Sequence, residues 1–182
     1  MRIISGKYKG KKINPPAGFK ARPTTDYARE SLFNILANRV EFESLVVLDL
    51  FSGTGSISFE FASRGAAVVH LVEQDPKHIA FIRRMSDEMK FKNIKTIHID
   101  VRAYLKVSRF KYDIVFADPP YDLAWLDTLP DLVLSSGIIK EDGFFILEHP
   151  KNFSFTSHRF FFEHRNYGSV NFSFFRNKGP KA

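Results

Sequence analysis

The sequence predicts an α/β protein built around a doubly wound, mostly parallel sheet. Three observations carry that prediction. From residue 45 onward, apolar runs of strand length alternate with segments of helix length. The first run ends in a glycine turn. The last two strand-like runs follow one another with no room for a helix between them.

Ahead of that core, Arg2 to Asn14 carries Gly6 and Gly10 between two short apolar stretches and reads as a basic hairpin, which Pro15-Pro16 and Gly18 break. In Arg22-Pro23-Thr24-Thr25-Asp26 a threonine can cap a helix, and Asp26 suits its positive first turn. That helix puts Ala28, Leu32, Phe33, Ile35 and Leu36 on one apolar face. Leu45–Phe51 is an almost unbroken apolar run, as in a parallel strand covered on both faces. A helix through about Arg64 is expected next, then a strand over Val68–Glu73, a helix over Pro76–Lys90 and a strand over Ile94–Ile99. Strands over Tyr112–Ala117 and Phe144–Leu147 follow, with a helical segment from about Leu123 between them. Arg159–His164 and Ser169–Arg176, joined through Asn166-Tyr167-Gly168, must pair antiparallel, as a hairpin at the sheet edge. The chain reads as one domain over residues 1–182, with a basic hairpin and helix over 1–40 and the core over 45–182.

Composition narrows the function classes. The absence of cysteine excludes disulfides, thiolate metal sites and cysteine nucleophiles. His70, His78, His98, His149, His158 and His164 are scattered without ligand spacing, so no metal is expected. No apolar run approaches the ~18 residues that cross a bilayer, and the start lacks the apolar stretch of a signal peptide, so a cytoplasmic location without membrane contact is expected. The net charge of +7 is unevenly placed: +6 over residues 1–30, +5 over 151–182 and −4 between them. A merely solvated basic surface would not require this separation. Ends that face a polyanion around a middle that performs chemistry would, with Lys7, Lys9, Lys11, Lys12 and Arg22 as the expected phosphate contacts.

In open α/β sheets, ligands bind beyond the carboxyl ends of the strands. The first strand runs into Asp49-Leu50-Phe51-Ser52-Gly53-Thr54-Gly55, where two glycines let the backbone turn tightly against a ligand. The third glycine of the dinucleotide fingerprint is replaced by Ser58. Asp49 would repel a pyrophosphate but suits the cationic sulfonium and ammonium of S-adenosylmethionine; it could instead cap the following turn. Glu73, 20 residues after Gly53, is placed for ribose hydroxyls. Asp75, before Pro76, starts the next helix. Asp100 could accept from an adenine amino group or cap a helix. The fourth strand ends in Asp118-Pro119-Pro120-Tyr121. The prolines have no N–H and a fixed φ, so the segment is stiff and its carbonyls are left as acceptors. A carboxylate and a proline carbonyl offer two acceptors to one planar amino group, and Tyr121 can stack on the base that bears it.

With the terminal hairpin, this sheet resembles the seven-stranded class I methyltransferase fold. Asp49-x-Phe51-x-Gly53-x-Gly55 with Asp118-Pro119-Pro120-Tyr121 resembles the amino-methyltransferases. Arg2-x-Ile4-x-Gly6-x3-Gly10, Arg22-Pro23-Thr24, Arg29-Glu30-x-Leu32-Phe33-Asn34 and Tyr167-Gly168 extend the likeness to the bacterial 16S ribosomal RNA guanine-(N2)-methyltransferase family over essentially the whole chain. Ser52 stands where many members have alanine. The resemblance implies S-adenosylmethionine as cofactor, held by Asp49, Phe51, Gly53, Gly55, Glu73 and Asp100. It implies a target-amine site at Asp118, Pro119, Pro120 and Tyr121, with ribosomal RNA or the small subunit as partner of a monomer. Asp-Pro-Pro-Tyr is shared with adenine methyltransferases and does not name the base; only the N-terminal likeness favours guanine. The alternatives are an adenine-N6 methyltransferase on RNA or DNA, a nicotinamide-dependent oxidoreductase and a non-catalytic RNA-binding module of the same fold.

Overall fold

The structure, a computed structural model, describes residues 1–16, 18 and 25–177; Arg22, Pro23 and Thr24 lie outside the described residues. Seven strands form one sheet in the order β3-β2-β1-β4-β5-β7-β6. They are β1 (Val46–Leu50), β2 (Val68–Glu73), β3 (Ile94–His98), β4 (Tyr112–Ala117), β5 (Ile139–His149), β6 (Phe161–Tyr167) and β7 (Val170–Arg176). The helices are α1 (Asp26–Ala37), α2 (Ser56–Ser63), α3 (Pro76–Glu88), α4 (Val101–Val107) and α5 (Leu129–Ser135). β1 pairs in parallel with both β2 and β4, so strand order reverses beside β1 and opens a crevice at the carboxyl ends there. This is the class I methyltransferase architecture that the sequence predicts.

The period-two alternation of each strand sorts the core. Val47, Ile114, Phe116, Ile146, Phe172 and Phe174 face one side, where they meet Ala28, Leu32, Phe33 and Leu36 of α1 and Phe61 of α2. Leu48, Leu50, Val115, Ala117, Phe145, Leu147 and Phe175 face the other, against Tyr104 and Leu105 of α4 and Leu129 and Val133 of α5. Thr25 caps α1 as expected, its hydroxyl accepting from the N–H of Ala28 at 3.1 Å.

The starts of β5 and α5 need correcting. β5 begins at Ile139, five residues before the apolar run, because Lys140, Glu141 and Asp142 extend it where little is buried. Helix α4 was marked in the sequence only by its possible cap, Asp100, since seven residues are too few for a clear apolar period. Helix α5 starts at Leu129 and not near Leu123, since a turn comes first, with the Leu126 N–H donating to the Leu123 carbonyl. The terminal hairpin forms the edge of the sheet as expected, with β7 between β5 and β6 and antiparallel to both.

The N-terminal hairpin forms only one antiparallel bridge, Arg2 with Lys12. The arm is nevertheless fastened along α2. Glu60 is fully buried, and its carboxylate accepts from the backbone N–H of Ile4 (2.8 Å) and of Ser5 (3.0 Å) and from Arg64 Nε (2.8 Å). The Ser63 carbonyl accepts from Lys7 N–H at 2.8 Å, and the Ser63 hydroxyl accepts from Tyr8 N–H and donates to the Ser5 carbonyl. Ile3 and Ile13 are buried with Phe59, Ile79 and Ile82. Gly6 sits at φ +79°, where an added Cβ would lie 1.9 Å from the Ser63 carbonyl oxygen. Gly6→Ala is therefore expected to lower stability by about 2–3 kcal/mol by lifting the arm off α2. Urea unfolding of the variant reads this, and an unchanged midpoint would contradict the seating described.

Candidate active site

A cleft of about 700 Å³ opens at the carboxyl ends of β1, β2, β4 and β5. Its walls include Phe51, Gly53, Glu73, Asp100 and the run Asp118, Pro119, Pro120 and Tyr121. The strand ends read from the sequence thus meet in one place. Five carboxylates line the cleft (Glu73, Asp100, Asp118, Asp122 and Glu148), and no lysine or arginine does so among the described residues. Such a wall disfavours a phosphate-rich ligand and favours a cationic one.

The loop after β1 is held from β2. Ser52 N–H and Gly53 N–H donate to the Val72 carbonyl (3.1 Å) and to Glu73 Oε2 (2.8 Å). Glu73 Oε1 accepts from the N–H groups of Gln74 (2.9 Å) and Asp75 (2.8 Å). Glu73 therefore ties two loops together as well as lining the cleft. Phe51 adopts φ +59°, a region bulky residues rarely enter, and packs 5.9 Å from the Trp125 ring. Gly55 has φ +77° at the start of α2, and a Cβ there would lie 3.0 Å from the Phe59 ring and 3.2 Å from Ile82.

Asp49 and Gly55 lie behind this wall and do not line the cleft. Asp49 shares the parity of Val47 and so points to the α1–α2 side, where its Oδ2 accepts from the Ser58 hydroxyl at 2.6 Å. Ser58, which breaks the dinucleotide glycine pattern, is thus the partner of this acid. Burial pushes the Asp49 carboxyl up from 3.8 to about 7, against the lowering effect of hydrogen bonds from Ser58. Asp100 fills both roles considered for it: Oδ1 caps α4 by accepting from Ala103 N–H at 3.0 Å, and the residue lines the cleft. Asp75 caps α3 through Lys77 N–H at 2.8 Å.

The Pro120 carbonyl accepts from Leu123 N–H at 2.9 Å, closing a turn, so it is not one of the carbonyls left over as acceptors. Lys7, Lys9, Lys11 and Lys12 are exposed on the arm. The arm's beginning reaches the cleft, with Met1 Sδ 3.6 Å from the hydroxyl of Thr54, a lining residue. Its lysine-bearing tip is fixed at the far end of α2, beside Ser63.

The sequence reading missed Thr54, Ser56, Gln74, His78, Asp122 and above all Glu148 as cleft residues. Glu148 follows the apolar run of β5 as Asp118 follows that of β4, so the strand-end argument could have found it.

Residues 1–176 match the family described as conserved hypothetical protein 95. The chain is 34% identical over 150 residues to the ribosomal RNA small subunit methyltransferase D of Buchnera aphidicola subsp. Acyrthosiphon pisum, covering 82% of this chain and 78% of that one. Among solved structures it is similar to hypothetical protein TTHA0928 of Thermus thermophilus, at 28% identity and a TM-score of 0.85, covering 97% and 99% of the two chains. The precorrin-6y C5,15-methyltransferase of Geobacter metallireducens GS-15 shares the fold, with 16% identity and a TM-score of 0.63 over 89% of this chain and 92% of that one.

Proposed function

Because the chain belongs to the conserved hypothetical protein 95 family, we propose that it uses S-adenosylmethionine to methylate the exocyclic 2-amino group of a guanine in small-subunit ribosomal RNA. The observation that carries this reading is the single cleft in which a carboxylate-lined, glycine-turned end adjoins Asp118-Pro119-Pro120-Tyr121. The donor set fits the cofactor: acids face a cation, Glu73 and Asp100 suit ribose hydroxyls and an adenine amino group, and Gly53 in the turn keeps a side chain out of the way.

When bound, S-adenosylmethionine supplies a methyl group made electrophilic by its sulfonium. The chain's own task is to make a poor nucleophile competent, since the amine lone pair is delocalised into the base. The Asp118 carboxylate and the Pro119 carbonyl each accept one amine N–H and turn the lone pair out of conjugation. Tyr121 stacks on the base, a contact worth about 1–3 kcal/mol. As the N–C bond forms, Asp118 is placed to hold the proton that the amine sheds. A base inside a duplex cannot reach this cleft, so the target lies in a loop or is flipped out.

The deciding experiment is to incubate the protein with small-subunit ribosomal RNA, free and assembled, and labelled cofactor, then identify the methylated nucleoside by mass. N2-methylguanosine is the expected product. N6-methyladenosine alone would hand the reading to an adenine methyltransferase, and no product would leave a binding module.

Two further outcomes are expected. Glu73→Ala should weaken cofactor binding by about 1.5–3 kcal/mol and also lower the melting temperature, because three backbone N–H groups lose their acceptor. Calorimetry giving wild-type affinity, or tighter binding of NAD than of S-adenosylmethionine, would contradict the assignment. Changing Lys7, Lys9, Lys11 and Lys12 together to Gln should weaken RNA binding and flatten its salt dependence by ~0.7–0.9 in log–log slope for each phosphate that the arm no longer neutralises. Cofactor affinity should not move; an unchanged slope would make these lysines solvated surface only.

A further inference from the structure

We propose that Glu148 reads the N1–H of the target guanine and so makes the cleft choose guanine over adenine; this rests on the 2-amino reading above. β4 and β5 run parallel with Ala117 beside Leu147. The next residues, Asp118 just past β4 and Glu148 still within β5 opposite Phe172 of β7, therefore lie at the same level on strands ~4.8 Å apart. Both line the cleft, and Glu148 is only 3% exposed. Glu73 and Asp100 stand at the ends of β2 and β3, on the other side of β1.

The two bases differ beside the amine. In guanine the 2-amino group adjoins the ring N1–H, so its edge presents donors in a row. In adenine the 6-amino group adjoins N1, which carries a lone pair. Two neighbouring carboxylates, one taking the amino hydrogens and the other the N1–H, complement the guanine edge. Against adenine, Glu148 would meet the N1 lone pair, leaving a buried acceptor opposed to another acceptor. Sites built to bind a substrate N–H reject the analogue without it far more strongly than apolar pockets reject a change of size. Asp-Pro-Pro-Tyr alone does not distinguish the bases; Glu148 beside it does.

The test uses small-subunit ribosomal RNA ligated around a synthetic segment, with guanine or 2-aminopurine at the position that the wild-type protein methylates. 2-Aminopurine keeps the 2-amino group but has a lone pair at N1. The wild type should strongly prefer guanine. Glu148→Gln should lose about 10–100-fold in kcat/KM on guanine, and should gain on 2-aminopurine because its amide can donate to N1. The guanine to 2-aminopurine ratio of the variant should thus fall at least tenfold below that of the wild type, a comparison in which the missing O6 cancels. Unchanged cofactor affinity and melting temperature would show that the variant is folded. Equal ratios in the two proteins, with both methylating guanine, would overturn the role of Glu148 and leave the function standing. Absence of N2-methylguanosine from the wild type would overturn the function and this inference with it. Should the Gln variant fail to fold, equal wild-type rates on the two RNAs would be enough to refute the proposal.

Discussion

Asp118→Ala is expected to reduce methyl transfer by on the order of 10²–10⁴-fold, the range for a positioned proton acceptor, while cofactor affinity stays within about twofold. The residue sits at the end of β4, across the cleft from the loop that Glu73 holds, so its loss leaves the glycine turn intact. The amine acceptor is most valuable when the lone pair is being turned out of conjugation, and the loss should therefore fall on kcat more than on KM. Asp118→Asn sharpens the test. It keeps the volume and one acceptor oxygen but presents an N–H₂ to a group that is itself a donor, so it should recover little activity. Single-turnover methylation with titrated cofactor reads both effects. Parallel loss of cofactor binding would mark Asp118 as structural, and full activity would remove it from the site.

Asp49→Asn should stabilise the free protein above neutrality, by about 3–5 kcal/mol at pH 8. The sign follows from burial. The folded carboxyl is raised from 3.8 to about 7, so the folded state binds this proton more tightly than the unfolded chain. Its stabilising contribution is fully present below about pH 4 and is lost as pH rises through 7. The amide can still accept the Ser58 hydroxyl without carrying charge into the core. Burial lowers His70 and His149, and they act in the opposite sense, adding stability as pH rises; both are common to the two proteins and cancel in the difference. Urea unfolding from pH 4 to 8 should therefore give a wild-type-minus-variant difference that grows more negative with pH and levels off above 7. A flat difference would mean that Asp49 is charged in the fold at little cost.

Much of the fold and part of the site were legible because they depend on short-range pattern. Leu45–Phe51 and Tyr112–Ala117 are so apolar that only a covered strand accounts for them, and the ends of β2, β3 and β4 delivered Glu73, Asp100 and Asp118 to one edge. The side of the sheet that Asp49 faces was not legible, since it depends on which helix covers that side. The polar start of β5 hid the strand's true length, and its end was placed one residue before Glu148. The turn that occupies the Pro120 carbonyl depends on Leu123, in a segment expected to be helical. The seat of the arm on Glu60 joins residues 55 and 56 positions apart, a distance over which periodicity carries no information.

The place of β7 governs when this protein can come into being during synthesis. Its residues 171–176 pair with 144–149 of β5 on one side, and Val170–Phe175 pair with β6 on the other. A ribosome that has released everything up to β6 has therefore produced a sheet with an open, phenylalanine-rich flank next to β5 and a lone strand with nowhere to dock. Vectorial growth cannot finish the domain piecemeal, because the strand closing the gap is the last one made. Nascent chains arrested before residue 170 should be captured by chaperones and readily proteolysed, and protection should appear abruptly once Arg176 has cleared the exit tunnel.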